Sequence, residues 1–169
     1  MNIHRFTIGI DIGKTAGAFA IQEAGEIKTF QMPKIGTELD YQAIYQLLEP
    51  YEAGNGMCVF EDLGVIFGSS KATALSMGHQ AGAIEMACIA LSIPFVKVKA
   101  KVWQKEMFIG IEEIQRMSKK KMVRDTKAMA LMAVKRRFPK LKLTFGTVAK
   151  VPHDGLVDAV LMSEFAKSL

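Results

Sequence analysis

Four acidic residues lie where a compact α/β chain would bring them together. Asp11 ends one apolar run and Glu61 ends another, while Asp154 and Asp158 stand four residues apart near the C-terminus. Burying several unpaired carboxylates is costly, and a fold tolerates such a cluster when cations neutralise it. Hard divalent cations such as Mg²⁺ and Mn²⁺ prefer oxygen ligands. The residue types and their spacing therefore predict a divalent metal site.

The first two acids are expected at the ends of neighbouring strands. Asp11 follows alternating apolar residues and precedes Gly13, which predicts the C-terminal end of a central strand, where open α/β sheets place ligands. Glu61 would meet Asp11 from an adjacent strand, whereas Asp62 would point to the opposite face and make a loop hydrogen bond. The alternative for Asp11 is a turn aspartate that stabilises the entrance of a hairpin.

The second pair of acids is expected on one helix. Residues four apart share a helix face, so Asp154 and Asp158 can both point at one site. The alternative for Asp154 is the N-cap of that helix, whereas the apolar neighbours of Asp158 offer it no such role. His153 is expected to bind a metal, to contact phosphate or to cap the helix.

A mixed sheet must position these acids. The pattern predicts strands over Phe6–Asp11, Gly17–Gln22, Glu26–Gln31, Met57–Glu61 and Phe95–Val98. It predicts helices that end at Pro50, that span Lys71–Leu91, Val102–Met107 and Arg124–Phe138, and that run from Pro152 to Ala166. A three-strand meander followed by alternating helices and strands predicts an α/β sheet with helices on both faces and the first strand central. The whole chain, residues 1–169, is expected to be one domain.

Composition and charge indicate the partner and the compartment. The net charge is +5, and residues 115–142 contain eleven lysines and arginines against one acid, Asp125. A basic surface beside an acidic pocket predicts a phosphate polymer as the partner. Cys58 and Cys88 lack CxxC spacing and are expected to be buried thiols. With no apolar run near 18 residues and no signal peptide, we expect a soluble, cytoplasmic protein without a membrane partner.

Three motifs combine the acids with their neighbours: Gly9–Gly13 on a first strand, Phe60-Glu61 on a later strand, and His153–Ala159 at the start of the last helix. These motifs resemble those of RuvC-type Holliday junction resolvases, which belong to the RNase H-like (retroviral integrase) superfamily. Pro94–Val98 followed by Trp103–Met107 is similar to the family's strand and short helix. The resemblance therefore covers nearly the whole chain, and its last motif is the most specific.

The resemblance implies a five-stranded RNase H-like sheet and a homodimeric endonuclease that nicks two opposed strands of a four-way DNA junction, in recombination, repair or phage DNA processing. It assigns Asp11, Glu61, Asp154 and Asp158 as ligands of two Mg²⁺ or Mn²⁺ ions. Two such ions about 4 Å apart activate the attacking water and stabilise the leaving 3′ oxygen of a phosphodiester. Some members place the final two acids three residues apart; the spacing of four leaves open whether Asp154 binds metal directly or through water.

Further contacts with DNA and with a second subunit are expected. The residues predicted to contact the DNA backbone are Lys119, Lys120, Lys121, Arg124 and Lys127, with a solvated helix as the alternative. Phe67, on a glycine-containing loop, is predicted to stack on a base of an opened junction or to pack in the core. The Lys71–Leu91 helix predicts the homodimer interface, with a core helix as the alternative. Trp103 is expected to be structural.

Three other functions fit part of the pattern. An RNase H-like nuclease acting on RNA or on other duplex or branched DNA would carry the same acids. Asp11–Thr15 also resembles the phosphate-binding hairpin of actin-like and sugar-kinase ATPases, although those proteins need two such domains around the nucleotide. A non-catalytic junction-binding protein is the third, and it would have no need of all four acids.

Overall fold

The computed structural model describes residues 4–13, 17–64, 70–146 and 148–169. Its β-strands are β1 (Phe6–Asp11), β2 (Ala18–Glu23), β3 (Glu26–Gln31), β4 (Lys34–Ile35), β5 (Glu38–Leu39), β6 (Gly56–Glu61), β7 (Phe95–Val98), β8 (Gln115–Ser118) and β9 (Lys121–Arg124). Its α-helices are α1 (Tyr41–Leu48), α2 (Lys71–Ala90), α3 (Ala100–Met107), α4 (Thr126–Arg137) and α5 (Asp154–Phe165). Short 3₁₀ helices follow α1 and α5.

Five strands form one mixed sheet in the order β3-β2-β1-β6-β7. The strands β1, β2 and β3 make an antiparallel meander, and β6 and β7 run parallel to β1. This confirms the predicted fold class, with the first strand central. Because Ile10 on β1 pairs with Phe60 on the parallel strand β6, Asp11 and Glu61 end at the same edge of the sheet.

Helices cover both faces of the sheet, as predicted, and each face has its own hydrophobic core. On one face, α3, α4 and α5 pack in a cluster that includes Trp103 and Leu161. On the other face, α1 and α2 cover a cluster that includes Ile8 and Ile10. Successive residues of a strand point to opposite faces, so Gly9 lies under α5 while its two neighbours lie under the other helices.

Helix α5 lies directly against the centre of the sheet because Gly9 has no side chain. A Cβ atom at Gly9 would collide with the backbone oxygen of Ala159 and the backbone nitrogen of Ser163. Gln22 on β2 holds the same helix, since its Nε2 donates to Ser163 Oγ at 2.9 Å and to Glu164 Oε2 at 3.1 Å. These contacts fix where α5 and its acids lie relative to the end of β1.

The strands β8 and β9 form a separate hairpin that sequence reasoning missed. Within the described residues they pair with each other and with no further strand. The sequence predicts a helix from Arg124, but Arg124 ends β9 and α4 begins at Thr126, after the N-cap Asp125. The lysines at 119–121 therefore lie on a β-hairpin rather than on a solvated helix.

Two smaller predictions concern burial and membrane association. Cys58 and Cys88 are both free and buried, as predicted. Throughout the four described ranges, each helix is too short or too polar to pass through a bilayer.

Candidate metal centre

Three elements bring the four predicted acids to one end of the sheet. Asp11 and Glu61 end the neighbouring parallel strands β1 and β6, and both are partly buried. Asp154 and Asp158 lie one turn apart on α5, which packs on the same two strands. Asp158 is partly buried, whereas Asp154 is exposed at the rim. All four acids therefore lie at the same end of the sheet, near enough for their charges to interact.

His153 and Asp62 have the local structural roles that were among their predicted ones. His153 is the N-cap of α5, and its Nδ1 accepts a hydrogen bond from Leu156 N at 3.2 Å. Asp154 is therefore the first helical residue and not the cap. The Oδ1 atom of Asp62 accepts from Gly64 N at 3.2 Å, which is the predicted loop hydrogen bond.

The carboxylates lie close enough together to oppose one another's ionisation. The pKa of Asp11 is raised to about 7, chiefly by burial and then by the negative charges of Glu61 and Asp154, against a lowering by Lys127. The pKa of Asp158 is likewise raised to about 7, chiefly by burial and then by the charges of the other three acids, against a lowering by Lys127. Desolvation and like charge both disfavour a carboxylate. Ionisation of all four acids together is therefore unfavourable near neutral pH.

Glu61 has a hydrogen-bond partner that sequence reasoning missed. The indole Nε1 of Trp103 donates to Glu61 Oε1 at 3.0 Å. Burial raises the pKa of Glu61, and this hydrogen bond works in the opposite direction because it stabilises the ionised form. Trp103 is fully buried, so its predicted structural role holds, but it also orients an acid of the site.

The rim of the site carries a cation. Lys127 Nζ contacts Asp154 Oδ2 at 2.5 Å, with both side chains largely exposed. This hydrogen bond raises the pKa of Lys127. Both residues line a groove of about 420 Å³ that also includes Arg116, Asp125 and Pro152. The groove therefore carries an exposed lysine next to Asp154.

The chemistry of the donor set suits a hard divalent cation. Within residues 4–13, 17–64, 70–146 and 148–169, no three histidine, cysteine or carboxylate side chains form a ready-made metal site. All four predicted ligands offer the oxygen atoms that Mg²⁺ and Mn²⁺ prefer. The residues present therefore fit the implied ions.

The residues predicted to contact DNA fall into three groups. Lys119, Lys120 and Lys121 are exposed on the β8-β9 hairpin. The guanidinium of Arg124 lies 5.7 Å from the ring centre of Phe108, and its Nε donates to a methionine sulfur, so this side chain also anchors the hairpin to the body. Lys127 lies at the groove described above. Phe67 lies outside the described residues.

Comparisons with known proteins give a structural likeness only. No family model matches the sequence, and no curated protein matches it. Thermus thermophilus RuvC in complex with a Holliday junction substrate superposes with a TM-score of 0.58 at 14% identity, over 96% of this chain and 92% of that chain. A second Thermus thermophilus RuvC structure has a TM-score of 0.54 at 13% identity, over 95% and 93% of the two chains. The chain thus has a RuvC-like fold.

Proposed function

We propose that this protein is an Mg²⁺- or Mn²⁺-dependent endonuclease that resolves four-way DNA junctions by paired nicks in opposed strands. The observation that carries the proposal is the convergence of four acids from β1, β6 and α5 at one sheet edge, beside a groove lined by cations. The resemblance of the motifs and the RuvC-like fold support the same reaction. The ATPase alternative has no comparable support.

Each side chain of the site has a distinct part in this proposal. Asp11, Glu61 and Asp158 would hold the ions, with Asp154 at the rim. The bound ions would supply activation of the attacking water and stabilisation of the leaving oxygen. The hydrogen bond from Trp103 would orient Glu61 and favour its ionised form, against the effect of burial. Lys127 carries positive charge at the place where the scissile phosphate would enter.

Paired nicking needs two copies of the site, and α2 supplies a surface for them. Only Gln80, Ile84 and Cys88 are its buried residues. Its outer face exposes large apolar side chains, among them Leu75 and Ile89 at 68% and 56% of their surface. These features support the proposal that two chains pair through this helix.

Cleavage of defined substrates tests the reaction. Labelled four-way junctions, duplexes, flaps and RNA–DNA hybrids are incubated with the protein, with and without Mg²⁺. We expect symmetric nicks in the junction alone, and none in the Asp158→Asn variant, although that variant still binds junctions. Preferential cleavage of the hybrid would favour the RNase H-like alternative. Absence of Mg²⁺-dependent cleavage of every substrate would contradict nuclease function.

Binding of the metal can be followed without turnover. Trp103 is the only tryptophan in the chain and contacts Glu61 directly, so its fluorescence should respond to Mg²⁺ or Mn²⁺ in the absence of DNA. Glu61→Gln should abolish the response at the same ion concentration, whereas Asp62→Asn, one residue away, should leave it intact. An unchanged titration in Glu61→Gln would remove that residue from the metal site.

Sedimentation tests the pairing. The Ile89→Glu variant places a charge on the exposed face of α2, and we expect a dimer of the parent protein and a monomer of the variant. The variant should nick one strand at a time and lose the paired product. A parent protein that remains monomeric on junction DNA would contradict symmetric resolution.

A further inference from the structure

The hairpin β8-β9 extends from the body of the protein. Of its eight strand residues, only Ser118 and Val123 are partly buried, and the rest are exposed. Its base is closed by a hydrogen bond from Asp125 N to Ile114 O at 2.7 Å. Among the described residues no further strand pairs with it, and most of its side chains, including those at the tip, are exposed to a partner.

The charge of the hairpin selects an anionic partner. Residues 115–124 include five lysines and arginines and no acid. Lys119 and Lys120 form the two-residue tip, and both have positive φ values, 44° and 66°. Consecutive residues of positive φ give the type I′ turn that suits a tight hairpin, but this turn favours asparagine and glycine. The chain thus holds two lysines at the extreme tip against their conformational preference.

Two exposed methionines lie side by side on this basic ribbon. Met117 and Met122 are opposite one another in the strand pairing, so their side chains share one face at close range. Their exposed fractions are 66% and 57%. A ribbon that only contacted phosphates would need no apolar pair, whereas proteins that open DNA insert apolar side chains, methionine among them, between base steps.

The hairpin is attached beside the candidate metal centre. Arg116 Nε lies 4.0 Å from Asp125 Oδ2, and Arg116 lines the groove that contains Lys127 and Asp154. At the other strand, Arg124 lies over the ring of Phe108. The base of the hairpin is therefore fixed at the groove, and a nucleic acid that occupies the groove would meet the ribbon.

We propose that the β8-β9 hairpin inserts into branched DNA, with Met117 and Met122 wedged between bases at the branch point and the tip lysines on the phosphates. A two-stranded ribbon fits a DNA groove, and lysine contacts with phosphate supply the affinity. The proposal rests on the proposed junction nuclease function. In this proposal the two methionines are the side chains that unstack bases at the branch point before cleavage.

Fluorescence of 2-aminopurine placed beside the branch point tests the wedge directly. In EDTA, where no cleavage occurs, saturating parent protein should raise the fluorescence because the base is unstacked. The double variant Met117→Ser/Met122→Ser should lose most of this rise, bind the junction with an affinity within about threefold of the parent, and nick about tenfold more slowly in Mg²⁺. Met117→Leu/Met122→Leu should restore both signals.

A second double variant separates the tip from the wedge. Lys119→Asn/Lys120→Gly keeps the turn, since these residues favour type I′ geometry, but removes two charges. We expect weaker binding to the junction, and a plot of log binding constant against log salt concentration whose slope is smaller by about 2. The full fluorescence change should still appear once the protein saturates the junction. Ile35→Ser is the matched control, because Ile35 is 70% exposed on the other two-stranded hairpin, and it should behave like the parent.

The outcomes distinguish the two proposals. A parent protein that nicks junctions while the serine variant keeps its fluorescence change and rate overturns the hairpin proposal alone; this is the result expected if Phe67 opens the bases instead. An equal loss in Ile35→Ser also overturns it, since the effect would not be specific to the hairpin. A parent protein that neither binds nor nicks junctions overturns the proposed function and the hairpin proposal with it.

Discussion

Removing one charge from the acidic cluster should stabilise the protein when metal is absent. The pKa of Asp158 rises from its ordinary value of 3.8 to about 7 on folding. Each pH unit of such a shift corresponds to about 1.4 kcal/mol, so full ionisation of this group disfavours the folded state by up to about 4 kcal/mol. Part of the shift comes from Asp11 and Glu61, and the ionisation of these two acids is coupled to that of Asp158. We therefore expect the Asp158→Asn substitution to raise the free energy of unfolding by about 2–4 kcal/mol at pH 8.

The pH window follows from the direction of the shift. Because the pKa of Asp158 is higher in the folded state, the folded protein retains a proton between about pH 4 and pH 7 that the unfolded chain has released. Stability of the parent protein should therefore fall as the pH rises through that window. The advantage of the Asp158→Asn variant should be absent below about pH 4 and complete above about pH 7.

Urea denaturation at pH 5 and pH 8, in EDTA and in about 10 mM Mg²⁺, measures these effects. Mg²⁺ should stabilise the parent protein at pH 8 and stabilise Asp158→Asn much less, because a ligand that binds only the folded state adds to its stability. The control is Asp62→Asn, which removes the charge of an exposed side chain near the site. Its free energy of unfolding should differ little from that of the parent. The reasoning would be refuted if Asp158→Asn were less stable than the parent at pH 8 in EDTA. It would also be refuted if Mg²⁺ stabilised this variant as much as it stabilises the parent.

Three further substitutions test the supports of the site. Gly9→Ala should destabilise the protein by about 3 kcal/mol or more and abolish cleavage, because the added Cβ displaces α5; denaturation and nicking assays measure both. Trp103→Phe should weaken metal binding about tenfold through loss of the hydrogen bond to Glu61, which isothermal titration calorimetry with Mn²⁺ can detect. Lys127→Gln breaks the contact with Asp154 and should lower both the nicking rate and the salt slope of junction binding, the latter by about 1.

Matched variants make these three tests specific. Gly82→Ala is the control for the glycine substitution, since a Cβ at Gly82 would meet no other atom and alanine favours a helix by about 1 kcal/mol. An equal loss of stability in both glycine variants would contradict close packing as the cause. Wild-type Mn²⁺ affinity in Trp103→Phe would mean that the indole does not position Glu61. An unchanged salt slope in Lys127→Gln would exclude a phosphate contact there.

The sheet and its acids could be predicted because their signals are local. The strands Phe6–Asp11, Glu26–Gln31 and Phe95–Val98 have the predicted bounds, since each is a short run of strand-forming residues between turn or proline signals. The positions of Asp11 and Glu61 were predictable because each acid ends a short apolar strand. The parallel pairing of β1 with β6 then placed the two acids together.

The remaining features depend on contacts between distant residues or on unfavourable local geometry. The hydrogen bond between Trp103 and Glu61 joins residues 42 positions apart, and no local pattern indicates it. The hairpin lacks the usual signal because Lys119 and Lys120 stand where asparagine and glycine are favoured. A run of lysines by itself suggests an exposed helix. It indicates a hairpin turn only when the two flanking segments are recognised as paired strands.

The same contacts that hold the acids together also explain why the fold retains an unfavourable charge. Gly9 and Gln22 fix α5 against β1 and β2, so Asp158 cannot move away from Asp11 without loss of core packing. Lys127 pairs with the exposed Asp154 and leaves the buried carboxylates without a salt-bridge partner in the part of the chain that the structure describes. Packing therefore opposes the electrostatic repulsion, and a divalent cation would relieve it, which couples the stability of the fold to the ion that the proposed reaction requires.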